Sequence, residues 1–488
     1  MTRATAVDAA SDVRGPTAPV SAVVGLLVFF EMLSGFSQVG ITPLLPDLAD
    51  AYGLADAQVN WVHAVQLLAA AVSVPLFGRL GDLLGHRRLL RIALVSIAIG
   101  SFLVALAPSA PLLWAGRALQ GPLAALLPLE IALVRSRLSV PDARRAIARL
   151  VGALTVGGLL GAALMGAAAG ALGGVRAALL VPAVLAAVCV ALSYAGVPES
   201  RPQPGARMDW AGFTLLALGA GTLLLGVSAL QEDAPDGRFV ASAIVLGAVL
   251  LAWWVRVELR AADPLVDVRE LVGRRAGPFY LAAAGFGVVY FAAQAPDTTF
   301  LAADPEAAGY GFGLSATRIS LMLLPAILAA VLGSALTVPI ARRLGYRRTL
   351  AVAFGLVAAS FVAVAVRHTA LWEIAATKVV AGLGLGIALS AMPTVVVEAA
   401  EQARSGVATA LYNNVKSLGG SVAGGVLAAL MAARTPASGT PAPGAAEGTP
   451  AESAYVLVWL VCGLCALAAA GATLLARRPE DGADAART

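Results

Sequence analysis

An all-α integral membrane protein, built as two six-helix pseudo-symmetric bundles plus two extra helices, is what this sequence predicts, on three observations. Residues are 59% hydrophobic and only 13% charged, with a mean hydropathy of +0.83. Soluble domains carry about 25% charged residues, so the chain is too poor in charge to solvate a globular surface. Apolar runs follow one another, each near the roughly 20 residues a helix needs to cross a bilayer core. The segments between them alternate between arginine-bearing and acidic, as positive-inside topology requires.

Taken in order, the first run, near 20–44, carries Glu31 halfway along. The second, 57–80, opens on Asn60-Trp61-Val62-His63 and leads to a glycine- and arginine-dense loop. After 89–107 comes 110–135, which holds Arg117, Gln120, Gly121 and Glu130. The run 147–170 spaces Gly152, Gly157, Gly161 and Gly166 four or five apart, which lets helices approach closely. Then come 174–196, with Cys189, and the pair 210–230 and 238–257 between linkers rich in proline and arginine. Six more follow: 277–298, with Asp297 at its outer end; 317–341; 348–366; 370–395, with Lys378; 404–432, with Tyr412-Asn413-Asn414-Val415-Lys416-Ser417; and 454–476, with Cys462 and Cys465. That makes about fourteen.

Loops expected inside carry Arg87, Arg88 and Arg91; Arg144, Arg145 and Arg149; Arg256, Arg260, Arg274 and Arg275; and Arg342, Arg343, Arg347 and Arg348. Loops expected outside carry Asp47, Asp50 and Asp56; Glu232, Asp233 and Asp236; and Asp304 and Glu306. An even number of spans then places both termini in the cytoplasm of a plasma-membrane protein. Residues 1–19, polar and without the charged-then-apolar layout of a cleavable signal, read as a cytoplasmic tail, and 477–488 as a second. The Ala-, Pro-, Gly- and Thr-rich stretch 433–453 reads as a flexible outer loop.

The chain repeats itself. Pro75 to Arg88 ends in Gly85-His86-Arg87-Arg88, and Pro339 to Arg348 in Gly345-Tyr346-Arg347-Arg348, the second copy shorter and without the acid. Arg117 is followed four residues on by Gly121, and Lys378 by Gly382. Two parallel repeats suggest a substrate site between halves near the midplane. The units are then 20–196, a 197–276 linker with two extra helices, and 277–476.

A net charge of +5 raises nucleic acid as a partner. The arginines, however, sit singly or in pairs at the ends of apolar runs, so nucleic acid is excluded. Cys462 and Cys465 have no second pair and no nearby histidine, which argues against metal. No ATP-binding loop or nucleophile elbow occurs, so neither an enzyme nor a cofactor is expected. Energy would come from an ion gradient.

The loop Gly78-Arg79-Leu80-Gly81-Asp82-Leu83-Leu84-Gly85-His86-Arg87-Arg88 resembles, nearly residue for residue, the helix 2–3 signature of the major facilitator superfamily. Gly78, Asp82, Gly85, Arg87 and Arg88 supply its parts. The Asp209-Trp210-x-Gly212 entry to the extra pair resembles the fourteen-helix drug:proton antiporter branch, and the likeness runs from about residue 20 to 476. It implies a monomeric, proton-coupled exporter of a small hydrophobic or amphipathic molecule, a drug or a secondary metabolite, working by alternating access.

That resemblance makes Arg117, with Gln120-Gly121, a counterpart of a helix 4 motif tied to proton coupling. The alternative is a clamp between helix 4 and the Asp82 loop. Glu31 reads as the proton carrier, because ionisable groups at membrane depth are functional candidates. The family instead places an aspartate nine residues before a loop proline, here Ser37. Glu130 joins it, or pairs with Arg135 or Arg137 near the cytoplasmic end. His63, Gln120, Asn413, Asn414, Lys378 and Lys416 are assigned to the substrate cavity. For His63 an interfacial position beside a belt tryptophan competes, and for the lysines snorkelling to the headgroups does. Asp297 reads as an exposed cap. Gly157, Gly161 and Gly166 resemble an exporter motif on helix 5, with Ala162 where that motif has proline; bulky replacements there are expected to part the two halves. An importer or uniporter of a polar solute is the second reading, and a membrane sensor or assembly factor a third, which would need an added soluble domain.

Overall fold

The computed structural model describes residues 20–197, 208–229, 236–261, 264–266, 268–271, 273, 276–399, 405–435 and 450–476. Among them every regular element is helical, and fourteen helices are long and apolar enough to cross a membrane. They are α1 (Val24–Tyr52), α2 (Asp56–Leu84), α3 (His86–Leu106), α4 (Ala110–Arg137), α5 (Arg145–Leu172), α6 (Val175–Gly196), α7 (Trp210–Ala229), α8 (Gly237–Glu258), α9 (Gly277–Ala302), α10 (Ala316–Leu344), α11 (Tyr346–Val366), α12 (Leu371–Val396), α13 (Leu411–Ala432) and α14 (Glu452–Leu475). Helices follow from the medium: lipid offers no partner to backbone N–H and C=O groups, so each span satisfies its own. The expected tails, most of the 433–453 loop, linker residues 198–207, and Glu232, Asp233, Arg274 and Arg275 lie outside the described residues, as does the side chain of Arg144.

The halves repeat in detail. α1 packs on α5 as α9 packs on α13, and α3 packs on α6 as α11 packs on α14. The turns into α3 and α11 use Gly85 and Gly345 at φ 94° and 78°, a left-handed conformation that a side chain resists. Just beyond each turn an arginine reaches the last helix of the half. Arg91 donates from Nε and Nη2 to the Ser193 carbonyl (3.2 and 3.0 Å), and Arg347 donates from Nε to the Thr473 carbonyl (2.9 Å). α7 and α8 form a hairpin in which Gly219, Gly226 and Gly247 lie against Leu251, Ile244 and Leu223. The pair leans on α13 through Val227 and Leu224 at Gly425.

Contacts between the halves run chiefly along α2–α13 and α5–α10. Without a hydrophobic drive between helices in lipid, close approach needs small residues. The seams have them: Gly166 sits on the Ala316 backbone, Gly424 on Ala64, and Gly420 beside Leu67. Side-chain links join the same end of the molecule, where α1 leads into α2 and α9 into α10. Thr42 donates to Gln294 Oε1 (2.6 Å), Tyr455 to Asp56 Oδ2 (2.6 Å), Ser421 to the Ala64 carbonyl (2.9 Å) and Thr317 to the Gly166 carbonyl (2.9 Å). The Gly85 and Gly345 turns lie at the opposite end.

Three spans are interrupted. α1 passes through a 3₁₀ turn at Thr42–Leu44, and its counterpart α9 through a π-helical segment at Val288–Ala292. The Thr42–Gln294 bond ties these two places together. α4 breaks between Leu119 and Leu123. Pro122 has no N–H to donate there, and Gly121 lies against the Ala69 backbone so closely that a Cβ would collide.

Candidate functional site

Two acids meet inside the first half. Glu31 on α1 and Glu130 on α4 are both 0% exposed, and they lie close enough for each charge to act on the other. The same helices bury Leu27, Phe30, Leu126, Leu129 and Leu133, which with Cys189 belong to the apolar core of this half. Among the described residues no group donates to any of the four oxygens. Two adjacent carboxylates in an apolar pocket would repel without water to screen them. The expected pairing of Glu130 with Arg135 or Arg137 is not what the fold makes: the carboxyl turns inward to α1.

Arg117, on the other segment of α4, is caged against α2. It donates from Nε to the Val62 carbonyl (2.7 Å), from Nη1 to Gln120 Oε1 (2.6 Å), and from Nη2 to Gln66 Oε1. Gln120 in turn donates to Ser101 (2.9 Å). Arg117 therefore clamps α4 to α2 through neutral acceptors. It does not reach the Asp82 loop, so the expected clamp there is not made, and among the described residues no carboxylate pairs with it. His63 lies in the field of this guanidinium at 5% exposure, with Trp61 also at 5%. Neither belongs to a lipid-facing aromatic belt. Ser37, Ser101, Arg117 and Gln120 line a cavity of about 10 Å³, room for the centre of a single water.

In the second half Lys378 of α12, the counterpart of Arg117, does have an acid. It pairs with Asp297 of α9, the two side chains being 12% and 14% exposed. The second Asp297 oxygen accepts from Trp459 Nε1 at 2.9 Å. Asp297 is thus no exposed cap, and Lys378 spends its charge within the half rather than in a shared cavity. Charges placed in spans tend to pair, but which acid Lys378 meets is set by the packing of α9 on its neighbours. Breaking a buried pair from one side costs about 3–5 kcal/mol. Asp297→Ala should therefore lower the melting temperature of the purified protein, and the double variant Asp297→Leu/Lys378→Met should recover much of the loss.

Lys416 of α13 is half-buried, with its ammonium 5.9 Å from the Phe291 ring and 5.5 Å from the Tyr412 ring. Asn413 is half-buried beside it in sequence, and Asn414 is 3% exposed with its carbonyl oxygen unpartnered. The sequence did not single out Tyr290, Tyr412 or the Asp56–Tyr455 and Thr42–Gln294 links. Only packing brings these residues together.

The helix 5 glycines divide. A Cβ on Gly157 would strike the Met32 carbonyl, and one on Gly161 the Phe36 carbonyl and Gly40. Both therefore press α5 onto α1 inside the first half, rather than facing the second as expected. Gly166 faces Ala316 and Ser320 of α10 across the seam. In the loop between α2 and α3, Asp82 pairs with His86 (3.3 Å), Arg88 is exposed, and nothing lies within 4 Å of where a Gly78 Cβ would stand.

The sequence profile of the Major Facilitator Superfamily matches residues 27–424 and 282–487. Among curated proteins, the multidrug efflux pump LfrA of Mycolicibacterium smegmatis is 30% identical over 409 residues, 80% of this chain and 76% of that one. The uridine/deoxyuridine transporter of Lactococcus lactis subsp. cremoris is 28% identical, covering 68% of this chain and 71% of its own. Of solved structures, a point mutant of the nucleoside transporter NupG superposes with a TM-score of 0.65 at 14% identity, over 94% of this chain and all of that one; at that identity the likeness concerns the fold.

Proposed function

Because the chain belongs to the major facilitator superfamily, we propose that it is a proton-coupled exporter of small hydrophobic or amphipathic molecules, working by alternating access in the plasma membrane as a monomer. The observation that supports this is the buried Glu31–Glu130 pair, two neighbouring carboxyls closed off from water with no hydrogen-bond donor among the described residues. Two acids holding one proton form a group that can load and release protons as access changes. Export is supported by the relative whose name is that of a multidrug efflux pump, and by the apolar core of the half that holds the acid pair.

Loop charge supports a cytoplasmic location for the Gly85 and Gly345 turns and for both termini. On that sidedness the halves are joined at the outer end, and the form seen here faces inward. The α2–α3 loop then belongs to the other state. Gly78 has open space and Arg88 no burial here, whereas a loop that closes the inner end would use both. Asp82→Asn is accordingly expected to cut transport about tenfold, within the usual range of conformational coupling, while insertion and folding stay intact. Transport in proteoliposomes, with protein amount checked by size-exclusion profile, measures it; unchanged rates would remove the loop from the gate.

A second reading, an importer or uniporter of a polar solute, draws on the uridine/deoxyuridine relative and on Ala162 in place of proline. Counterflow of 2-naphthoate, a flat apolar molecule, and of uridine into proteoliposomes, each with and without an imposed pH gradient, separates the two. Proton-dependent movement of 2-naphthoate supports export, and gradient-independent exchange of uridine overturns it.

A further inference from the structure

Lys416 stands out among the charges inside the spans. Glu31 and Glu130 have each other, Lys378 has Asp297, Asp82 has His86, and Arg117 has three acceptors. Among the described residues no acidic side chain and no hydrogen-bond acceptor faces the Lys416 ammonium; its neighbours are the rings of Phe291 and Tyr412. A bare cation at membrane depth is costly, and cation–π contact at such distances offsets only part of that cost. Snorkelling would relieve it, but the side chain is held between rings.

The surroundings are those of a built site. Tyr412 is 2% exposed, and its hydroxyl has no partner among the described residues. Tyr290 and Phe291 come from the π-helical segment of α9, the kind of local irregularity that recurs at functional sites. Tyr290 is stacked on Phe286 at 5.3 Å and meets Phe291 edge-on at 4.8 Å, so the aromatic wall is rigid. The position also borders the α2–α13 seam: one turn beyond Lys416, Gly420 touches Leu67 of the other half. A group bound here would feel both halves.

We propose that Lys416, with Tyr412, Tyr290 and Phe291, is the anion subsite of the transport cavity, and that the substrate is a flat apolar or aromatic molecule bearing a carboxylate or comparable acidic group. The ring faces take the apolar body, the ammonium neutralises the acid, and the Tyr412 hydroxyl donates to it. The inference rests on the transport reading above and names the class of molecule carried.

Three probes of one shape and different charge test it: 2-naphthoate, 2-naphthalenemethanol and 2-naphthylmethylammonium. Binding to the full chain in lipid nanodiscs is measured by calorimetry with no ion gradient, so the outcome is independent of proton coupling. Naphthoate is expected to bind about tenfold or more tightly than the neutral alcohol, the gain of one charge-assisted hydrogen bond, and the ammonium probe most weakly. Lys416→Met should abolish the preference for the anion, and Lys416→Arg should keep it. Equal or tighter binding of the alcohol or the cation by the unmodified protein overturns the proposal, as does binding of none of the three, or an unchanged preference in Lys416→Met. If naphthoate binds as expected yet is not moved in the gradient assay, the transport reading fails and the subsite stands.

Discussion

Glu31→Gln is expected to abolish substrate accumulation driven by a pH gradient while leaving substrate exchange at zero gradient near its unmodified rate. The amide keeps the size of the acid and can donate to Glu130, so the α1–α4 contact survives, but it can no longer take up a proton. For one proton exchanged per substrate, a gradient of about two pH units sustains an accumulation of about a hundredfold; the variant should fall to about one. Glu130→Gln should do the same, because the proton belongs to the pair rather than to either residue. Counterflow and gradient-driven uptake in the same everted vesicles measure both quantities. Undiminished accumulation in both variants would make the pair structural. Loss in only one would assign the proton to that acid.

Gly161→Leu should prevent accumulation of folded protein, whereas Gly166→Leu should leave the protein folded but fixed away from the state described here. The difference lies in what each glycine touches. At Gly161 a side chain meets the Phe36 carbonyl and the backbone of Gly40 inside the α1–α5 contact, and backbone cannot rotate aside. Overpacking of this kind costs about 1–3 kcal/mol or more, a large fraction of a marginal stability. At Gly166 the obstacle is the Ala316 backbone of the other half, and separating the halves at that end relieves it. The check is a size-exclusion profile of each variant, followed by accessibility of a cysteine introduced at Thr317 to a membrane-impermeant thiol reagent. Monodisperse Gly161→Leu protein, or unchanged labelling in Gly166→Leu, would refute the assignment of the two contacts.

How far the site was legible follows from the range of the interactions. The Gly78–Arg88 loop, the paired turns at Gly85 and Gly345, and the Arg117 and Lys378 correspondence are local patterns that can be read directly. Glu31 and Glu130 were conspicuous as acids in apolar runs, but nothing in the spacing said that they meet. Asp297 looked like a surface cap because its partner, Lys378, is 81 residues away. Gly157 and Gly161 share their spacing with Gly166, yet two of the three face α1 and the other faces α10. Which neighbour a helix face meets is not written in that helix.

The number of spans, their order, the repeat of the two halves and the placement of arginine at their ends were determined by the sequence alone. Lipid enforces them residue by residue: a span without about 20 apolar residues does not insert, and a loop without the right charge does not stay inside. The acid pair, the neutral cage around Arg117, the Lys378–Asp297–Trp459 contact, the seam along α2–α13 and α5–α10, and the solitary Lys416 were decided only by the tertiary structure. Once every helix already satisfies its own backbone, what selects partners is side-chain shape and the need to compensate each buried charge, and both depend on residues far apart in the chain.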